Sequence, residues 1–254
     1  MAIRMPVRPA DVAVIRLLDG ACSHLGLRRR RNEDAFLTAP DHGLYVVADG
    51  MGGHPAGDVA SRMAIDTLAR SLASQPDGPA DAVARLLTAA FAEANAALLE
   101  YALARPDHNG LGTTLTALLV RGGRALVGHI GDSRLYRIRD DECRQLTTDH
   151  TWVEREIAEG RLTRDGARHH PHSAVLLRVL GGADSNIDLH ELDLLAGDRI
   201  VLCTDGVSNA LTPTDLAAIV RQPIAPADVA RQLCETADAR GGHDNSTAVI
   251  VDVS

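Results

Sequence analysis

Three apolar runs that each finish on an aspartate constrain this chain more than any other feature: LYVVAD (44–49), ALVGHIGD (125–132) and RIVLCTD (199–205). A short, continuous apolar run bounded by turn residues reads as a buried strand. A carboxylate at the mouth of such a strand is costly unless its charge is paired. Asp244 closes a glycine-rich turn, GGHDN, before a last apolar run, and Asp34 sits in NED before another. Carboxylates gathered on one sheet edge repel one another, and a hard cation with oxygen ligands relieves that repulsion. The plainer alternative is that an Asp-Gly after a strand is only a turn. Asp198 in AGDRI, which begins a run instead of ending it, reads that way. Spacing by itself admits both readings.

The order of elements points to antiparallel sheet. A strand at 44–48 is followed by two helical patterns, at 59–72 and 79–103, the second with Pro79 in its first turn. Strands are then expected at 113–121, Arg124–Ile130, 135–139 and 143–147, joined by Gly122-Gly123 and Asp140-Asp141 turns. Consecutive strands with tight turns pair antiparallel. A short helix at 151–159 precedes a polar, His- and Arg-rich stretch at 160–182, expected on the surface. A strand at Arg199–Cys203, a helix capped by Thr212, a helix at Pro226–Ala239 and a strand at Ser246–Val253 complete the pattern. This is not the βαβ alternation of a doubly wound fold. One domain over 1–254 is expected, with 1–18 as a leader or edge strand.

Charge and composition exclude several chemistries. With 34 Asp and Glu against 26 basic residues the net charge is −8, which argues against a general nucleic-acid binder. No lysine occurs, so there is neither a Schiff-base lysine nor a Walker A lysine. The four cysteines, Cys22, Cys143, Cys203 and Cys234, form no C-x-x-C pair, and no disulfide framework is expected. The N-terminus lacks the apolar core of a signal peptide, and no uninterrupted apolar stretch approaches about 18 residues, so a cytoplasmic protein without a membrane span is expected.

The segments RRRRNED (28–34), VVADGMGGHPAGDVAS (46–61), GTTLTA (112–117), GHIGDSRLY (128–136), LTTDH (146–150), LLRVLGG (176–182), LCTDGVSNAL (202–211) and GGHDNST (241–247) resemble, in order, the motifs of the type 2C (PPM) metal-dependent protein phosphatases in their compact bacterial form. The likeness covers most of the chain from about Ser23 onward. The DGMGGH, GDSR, TDG and DN set is specific jointly; any one alone is weak. The resemblance implies an α+β fold, in which two antiparallel β-sheets pack as a central sandwich with helices on both outer faces. It implies hydrolysis of phosphoserine and phosphothreonine on proteins by a water or hydroxide bridging two divalent ions, Mn2+ or Mg2+, reversing the action of a cognate serine/threonine kinase. By the same resemblance Asp34 and Asp49, with the Gly50 carbonyl, would serve the two-metal core, Asp205 and Asp244 its other ion, and Asp132 a third, weaker one. Arg29 would grip the substrate phosphate, with Arg28 or Arg30 as alternatives in the same run. His54 would be the general acid, and 160–182 a flap bordering the site. A monomer is expected.

Competing chemistries leave other marks. No D-x-D appears for an aspartyl nucleophile, and the C-x5-R spacings at Cys22 and Cys234 lack the preceding His and following Ser or Thr of a cysteine phosphatase. The cluster His169-His170-Pro171-His172 reads as a solvated loop more readily than as a zinc site. His129 reads as a packed core histidine, Trp152 as a packing anchor, and His243 as a site or turn residue. The remaining alternative from another class is a catalytically weak or inactive family member acting as a regulatory binding protein. Such members lose metal aspartates, and Asp34, Asp49, Asp205 and Asp244 are all present here.

Overall fold

The computed structural model describes residues 15–51, 56–73, 80–121, 124–140, 142–167 and 170–254. In chain order the elements are β1 (Leu17–His24), β2 (Asp34–Ala39), β3 (Leu44–Met51), α1 (Gly57–Ala73), α2 (Ala80–Ala104), β4 (Gly112–Thr113), β5 (Leu115–Arg121), β6 (Arg124–Ile130), β7 (Arg134–Arg139), β8 (Glu142–Gln145), α3 (Trp152–Ala158), α4 (Arg164–Ala167), β9 (Asp188–Leu192), β10 (Arg199–Cys203), α5 (Asp205–Ser208), α6 (Pro213–Val220), α7 (Pro226–Ala239) and β11 (Ser246–Val253).

Two sheets form. One runs β1-β11-β10-β7-β8 and the other β2-β3-β5-β6-β9, with the short β4 paired to β3. Every pairing between these strands is antiparallel. The apolar runs are apolar on both faces, and the period of two sends alternate residues into different layers. In β3, Tyr45 and Val47 pack between the sheets, while Leu44, Val46 and Ala48 face α1 and α2. In β10, Ile200 and Leu202 join Tyr45 and Val47, while Val201 and Cys203 pack beneath α6 and α7. Strand β11 divides the same way, Val249 and Val251 against Ala248 and Ile250. Three apolar layers therefore separate four layers of secondary structure, the α+β sandwich with helices outside that the motifs imply.

The helices follow local signals. Thr212 accepts from the Asp215 amide at 3.2 Å while Asp215 accepts from the Thr212 amide at 3.1 Å, a capping box with Pro213 at the first position. Helix α2 is long and apolar enough to cross a membrane by length and composition, which tests of uninterrupted apolar runs do not register. One side of it, Leu87, Phe91, Ala94 and Leu98, is buried in the core. Phe91 meets β6 closely: a Cβ on Gly128 would lie 2.6 Å from its ring.

The strand at Asp188–Leu192 carries no clear alternation, since only Leu192 is buried, and it is not expected from the sequence. The 1–18 leader falls largely outside the described residues, and the edge strand β1 starts at Leu17. The 160–182 segment is exposed over much of its length, yet its end is anchored: Leu180 is fully buried and bridges Thr113.

Candidate metal centre

One end of the sandwich collects the sequence-predicted aspartates from both sheets. Asp34 heads β2 and lies directly opposite Asp49 of β3 in register, so the two side chains share a face. Asp132 follows β6, Asp205 follows β10 and opens α5, and Asp244 precedes β11. Asp49, Asp132, Asp205 and Asp244, with Gly50, Arg29, Arg30 and Arg31, line a cleft of about 760 Å³. Asp34 lies beneath that lining and is buried.

Each carboxylate is positioned by specific neighbours. Thr204 and Thr247, which precede α5 and sit in β11, both donate hydroxyl hydrogens to Asp34 Oδ2 at 2.7 Å. They reach across from one sheet to the other, and the Thr247 amide donates to Thr204 Oγ1 at 3.0 Å to fix the pair. Around Asp49, the Thr114 amide and the Thr113 hydroxyl donate to its carbonyl, each at 2.9 Å, and its own amide donates to Thr114 Oγ1 at 2.9 Å. Gly50 permits a close crossing: a Cβ there would lie 2.0 Å from the Gly57 carbonyl oxygen. Gly206 does the same beside Asp205, where a Cβ would lie 1.8 Å from the Asn245 carbonyl oxygen. These contacts give the DG pairs a tertiary reason beyond turn formation.

The electrostatics are those of a site short of positive charge. Burial, reinforced by Asp205 and Asp244, pushes the Asp34 carboxyl up to about 7. Asp49 is raised well above the carboxylate range by burial, then by Asp34, Asp205 and Asp132. Asp132 is raised by burial and by Asp205 and Asp149, and Asp205 by burial and by Asp244. Asp49, Asp132 and Asp205 are half-buried and line the cleft. The Asp49 and Asp205 carboxyls act directly on one another. Asp34 Oδ1 and Asp205 Oδ1 are buried without a hydrogen-bond partner among the described residues. Orphaned, mutually repelling carboxylate oxygens are the donor set a hard divalent cation satisfies, so the residues present fit such ions. Among the described residues no three His, Cys, Asp or Glu side chains are grouped as a ready cage.

Arg29 lies within this arrangement: its Nη2 donates to Asp244 Oδ2 at 2.5 Å. His54 lies outside the described residues, as does His169. His170 and His172 surround Trp152, with ring centroids 4.8 and 5.0 Å from it, an aromatic packing cluster away from the carboxylates. His129 is fully buried, with Nε2 donating to the Thr148 carbonyl at 3.1 Å and Nδ1 2.9 Å from the Thr116 hydroxyl. His243 is exposed and not part of the cleft lining. Asp198 pairs with Arg139 through two 2.7 Å contacts at the start of β10, away from the site. All four cysteines are free thiols.

The residue that sequence reasoning passes over is Asn245. Its Nδ2 donates to the carbonyls of Leu25 and Arg31 at 2.7 and 2.9 Å, and its Oδ1 accepts from the Glu33 amide at 2.9 Å. One buried side chain thus pins the loop that carries Arg29 and Asp34. The only signal for it is its place beside Asp244 in the DN motif, and for Thr204 and Thr247 their place within one to three residues of an aspartate.

The sequence pattern of the protein phosphatase 2C family matches residues 23–241. The chain belongs to the protein phosphatase 2C family. It is 40% identical over 233 residues to the serine/threonine protein phosphatase PstP of Mycobacterium tuberculosis, an alignment that takes in 92% of this chain and 44% of that protein. The chain therefore spans less than half the length of that relative. It is 32% identical over 232 residues to the serine/threonine phosphatase stp of Listeria monocytogenes, covering 89% of this chain and 92% of that one. Among solved phosphatase 2C-like structures, the Mycobacterium tuberculosis phosphatase PstP/Ppp superposes with a TM-score of 0.87 at 39% identity, covering 93% of this chain and 98% of that one. The catalytic domain of PstP in complex with two manganese ions gives 0.86 at 38% identity, covering 94% and 99%. The family's α+β architecture and the two-sheet sandwich described above thus agree.

Proposed function

We propose that this chain is a catalytic domain that hydrolyses phosphoserine and phosphothreonine in proteins in a metal-dependent reaction, reversing a serine/threonine kinase. The observation that carries the reading is the gathering of five aspartates from both sheets at one end of the sandwich, four lining the cleft and Asp34 buried beneath it, with two buried carboxylate oxygens lacking partners among the described residues, in a chain of this family. Asp34, Asp49, the Gly50 carbonyl, Asp205 and Asp244 would hold two divalent ions, Mn2+ or Mg2+, and Asp132 a third, weaker one. Oxygen ligands of this kind suit either ion, and Mg2+ in particular commonly keeps several waters beside its carboxylates. Such ions supply an acidified water for attack and neutralise charge on the transferring phosphoryl group.

The chain's own residues perform the remaining tasks. The Thr204 and Thr247 hydroxyls hold one oxygen of Asp34 and leave the other free to point at a cation. Asp244, which accepts from Arg29 here, would help hold an ion, and the planar Arg29 fork would then be free to bind two phosphate oxygens. His54 protonates the departing serine or threonine oxygen. The 160–182 segment borders the cleft through Ala174 and Leu176 and acts as a flap that shields the reacting phosphate. A monomeric cytoplasmic enzyme acting on phosphoproteins, a cognate kinase among them, completes the proposal.

Asp205→Ala and Asp244→Ala are each expected to lower turnover of a phosphothreonine peptide and of a small aryl phosphate by ~100-fold or more. Excess chelator should do the same to the unaltered protein, with recovery on adding Mn2+. Full activity in either variant, or in chelator, would sink the metal mechanism, and absence of turnover by the unaltered Mn2+-loaded protein would leave the regulatory binding protein in its place.

A further inference from the structure

Arg29 is one of four consecutive arginines, and the other three are not explained by gripping a single phosphate. Arg30 and Arg31 line the same cleft as Arg29 and the aspartates. All four side chains are exposed. Arg29 is engaged with Asp244, and Arg31 eases the charge of Glu33. Arg28 and Arg30 make no side-chain hydrogen bond or ion pair with any described residue. In a chain of net charge −8, Arg30 stands out from the general surface as an exposed guanidinium that lines the cleft with no ion-pair partner among the described residues, and Arg31 lines it beside Glu33.

The backbone beneath them is fixed. The Leu27 and Arg28 amides donate to the Gly242 carbonyl at 2.8 and 3.1 Å. At the other end Asn245 holds the Arg31 carbonyl and the Glu33 amide. The run is thus a pinned rim bearing exposed cationic side chains, a preorganised arrangement that loses less entropy on meeting an anion than a mobile tail would. The lining also includes the apolar Met51, Ala174 and Leu176. Among the described residues, Arg29, Arg30 and Arg31 are its only cationic members.

We propose that Arg30 and Arg31 select substrates that carry a second anionic group, a further phosphate or a carboxylate, within two residues of the phosphate to be removed. The inference rests on the phosphatase reading and names the substrate class of that same cleft. Successive residues of an extended peptide advance at most about 3.3–3.6 Å each, so a neighbour one or two positions away stays within reach of adjacent arginine side chains. Guanidinium groups bind phosphate and carboxylate through charge-assisted, often bidentate hydrogen bonds.

The test compares kcat/KM of the metal-loaded protein on matched phosphothreonine peptides. These carry phosphothreonine, glutamate or glutamine at each of the two positions on either side. An aryl phosphate is measured alongside. The doubly phosphorylated and glutamate peptides are expected to exceed the glutamine peptide by about 10-fold and about 3-fold, with the advantage shrinking as salt rises. In the Arg30→Ala/Arg31→Ala variant that advantage should fall to within about 2-fold of unity, and Arg30→Lys/Arg31→Lys should restore most of it. Aryl phosphate turnover by the unaltered protein with no preference among the peptides would overturn this inference alone. A preference that survives the double alanine variant, or a uniform fall on all substrates, would overturn it too. Absence of all turnover, aryl phosphate included, would sink the phosphatase reading together with it.

Discussion

Asp34 shows why this site is built at the limit of what a folded chain tolerates. It is buried, one oxygen is satisfied by two threonine hydroxyls, and the other has no partner. Its carboxyl is pushed up to about 7 against an ordinary 3.8, by burial first and then by its acidic neighbours. Without cations the folded state therefore binds a proton that the unfolded chain has released between those two values. The associated stability is complete below about pH 4 and is lost as pH rises through about 7. Asp34→Asn keeps the shape and removes the charge. In chelator at pH 8 the variant is expected to be the more stable protein by about 1–3 kcal/mol, seen as a higher Tm. With Mn2+ the order should reverse, because only the unaltered site gains binding energy on folding. An equal difference with and without Mn2+ would remove Asp34 from the ion site. His129 titrates in the opposite sense: burial, then His150, lowers it to about 4. The unfolded chain then binds the extra proton between about pH 4 and 6.5, so stability falls as pH drops through that window. His129→Gln should flatten the urea midpoint across it, and an unchanged slope would assign the acid sensitivity elsewhere.

At the scale of elements, the site depends on connections more than on strands. The loop from β1 to β2 carries the arginine run and ends on Asp34, and it has no regular structure of its own between His24 and Asp34. Asn245, at the entrance to β11, supplies three hydrogen bonds that stand in for a ladder. Asn245→Ala is expected to raise KM for a phosphopeptide about 10-fold by freeing the rim. The folded state should lose about 2–4 kcal/mol, because backbone groups that were satisfied by one side chain are left without it. A KM within 2-fold of the unaltered protein would mean the loop is held by its own ends. The capping box of α6, the bounds of helix Pro226–Ala239 and those of strands Arg199–Cys203 and Ser246–Val253 were legible because local chemistry dictates them: a threonine cap with proline behind it, a glycine stop, a continuous apolar run. The strand at Asp188–Leu192 was not, because an edge strand with one buried residue leaves no period to read.

For the whole molecule, the two sheets are joined by apolar packing over most of their area and by charge at one end. Asp34, Asp49 and Asp132 come from one sheet or its connections, Asp205 and Asp244 from the other. Any ions held between them would cross-link the sandwich, so the metal and the packing of the two layers are thermodynamically one problem. The threonine hydroxyls on Asp34 are the protein's own version of that link, running from the β10–β11 side to β2.

The sequence by itself determined the layers and the candidates for the site: apolar runs buried on both faces, helices with one apolar side, and aspartates at strand mouths are local patterns that survive into the fold. The motif order was enough to indicate the family. Tertiary structure alone decided that Asp34 sits beneath the cleft floor while its partners line it, that the Asp49 and Asp205 carboxyls act on one another, and that Asn245 holds the arginine rim. Those facts depend on residues far apart in the chain meeting in space, Asn245 and Arg31 at a separation of 214 positions among them, and no periodicity encodes which strand will lie opposite which.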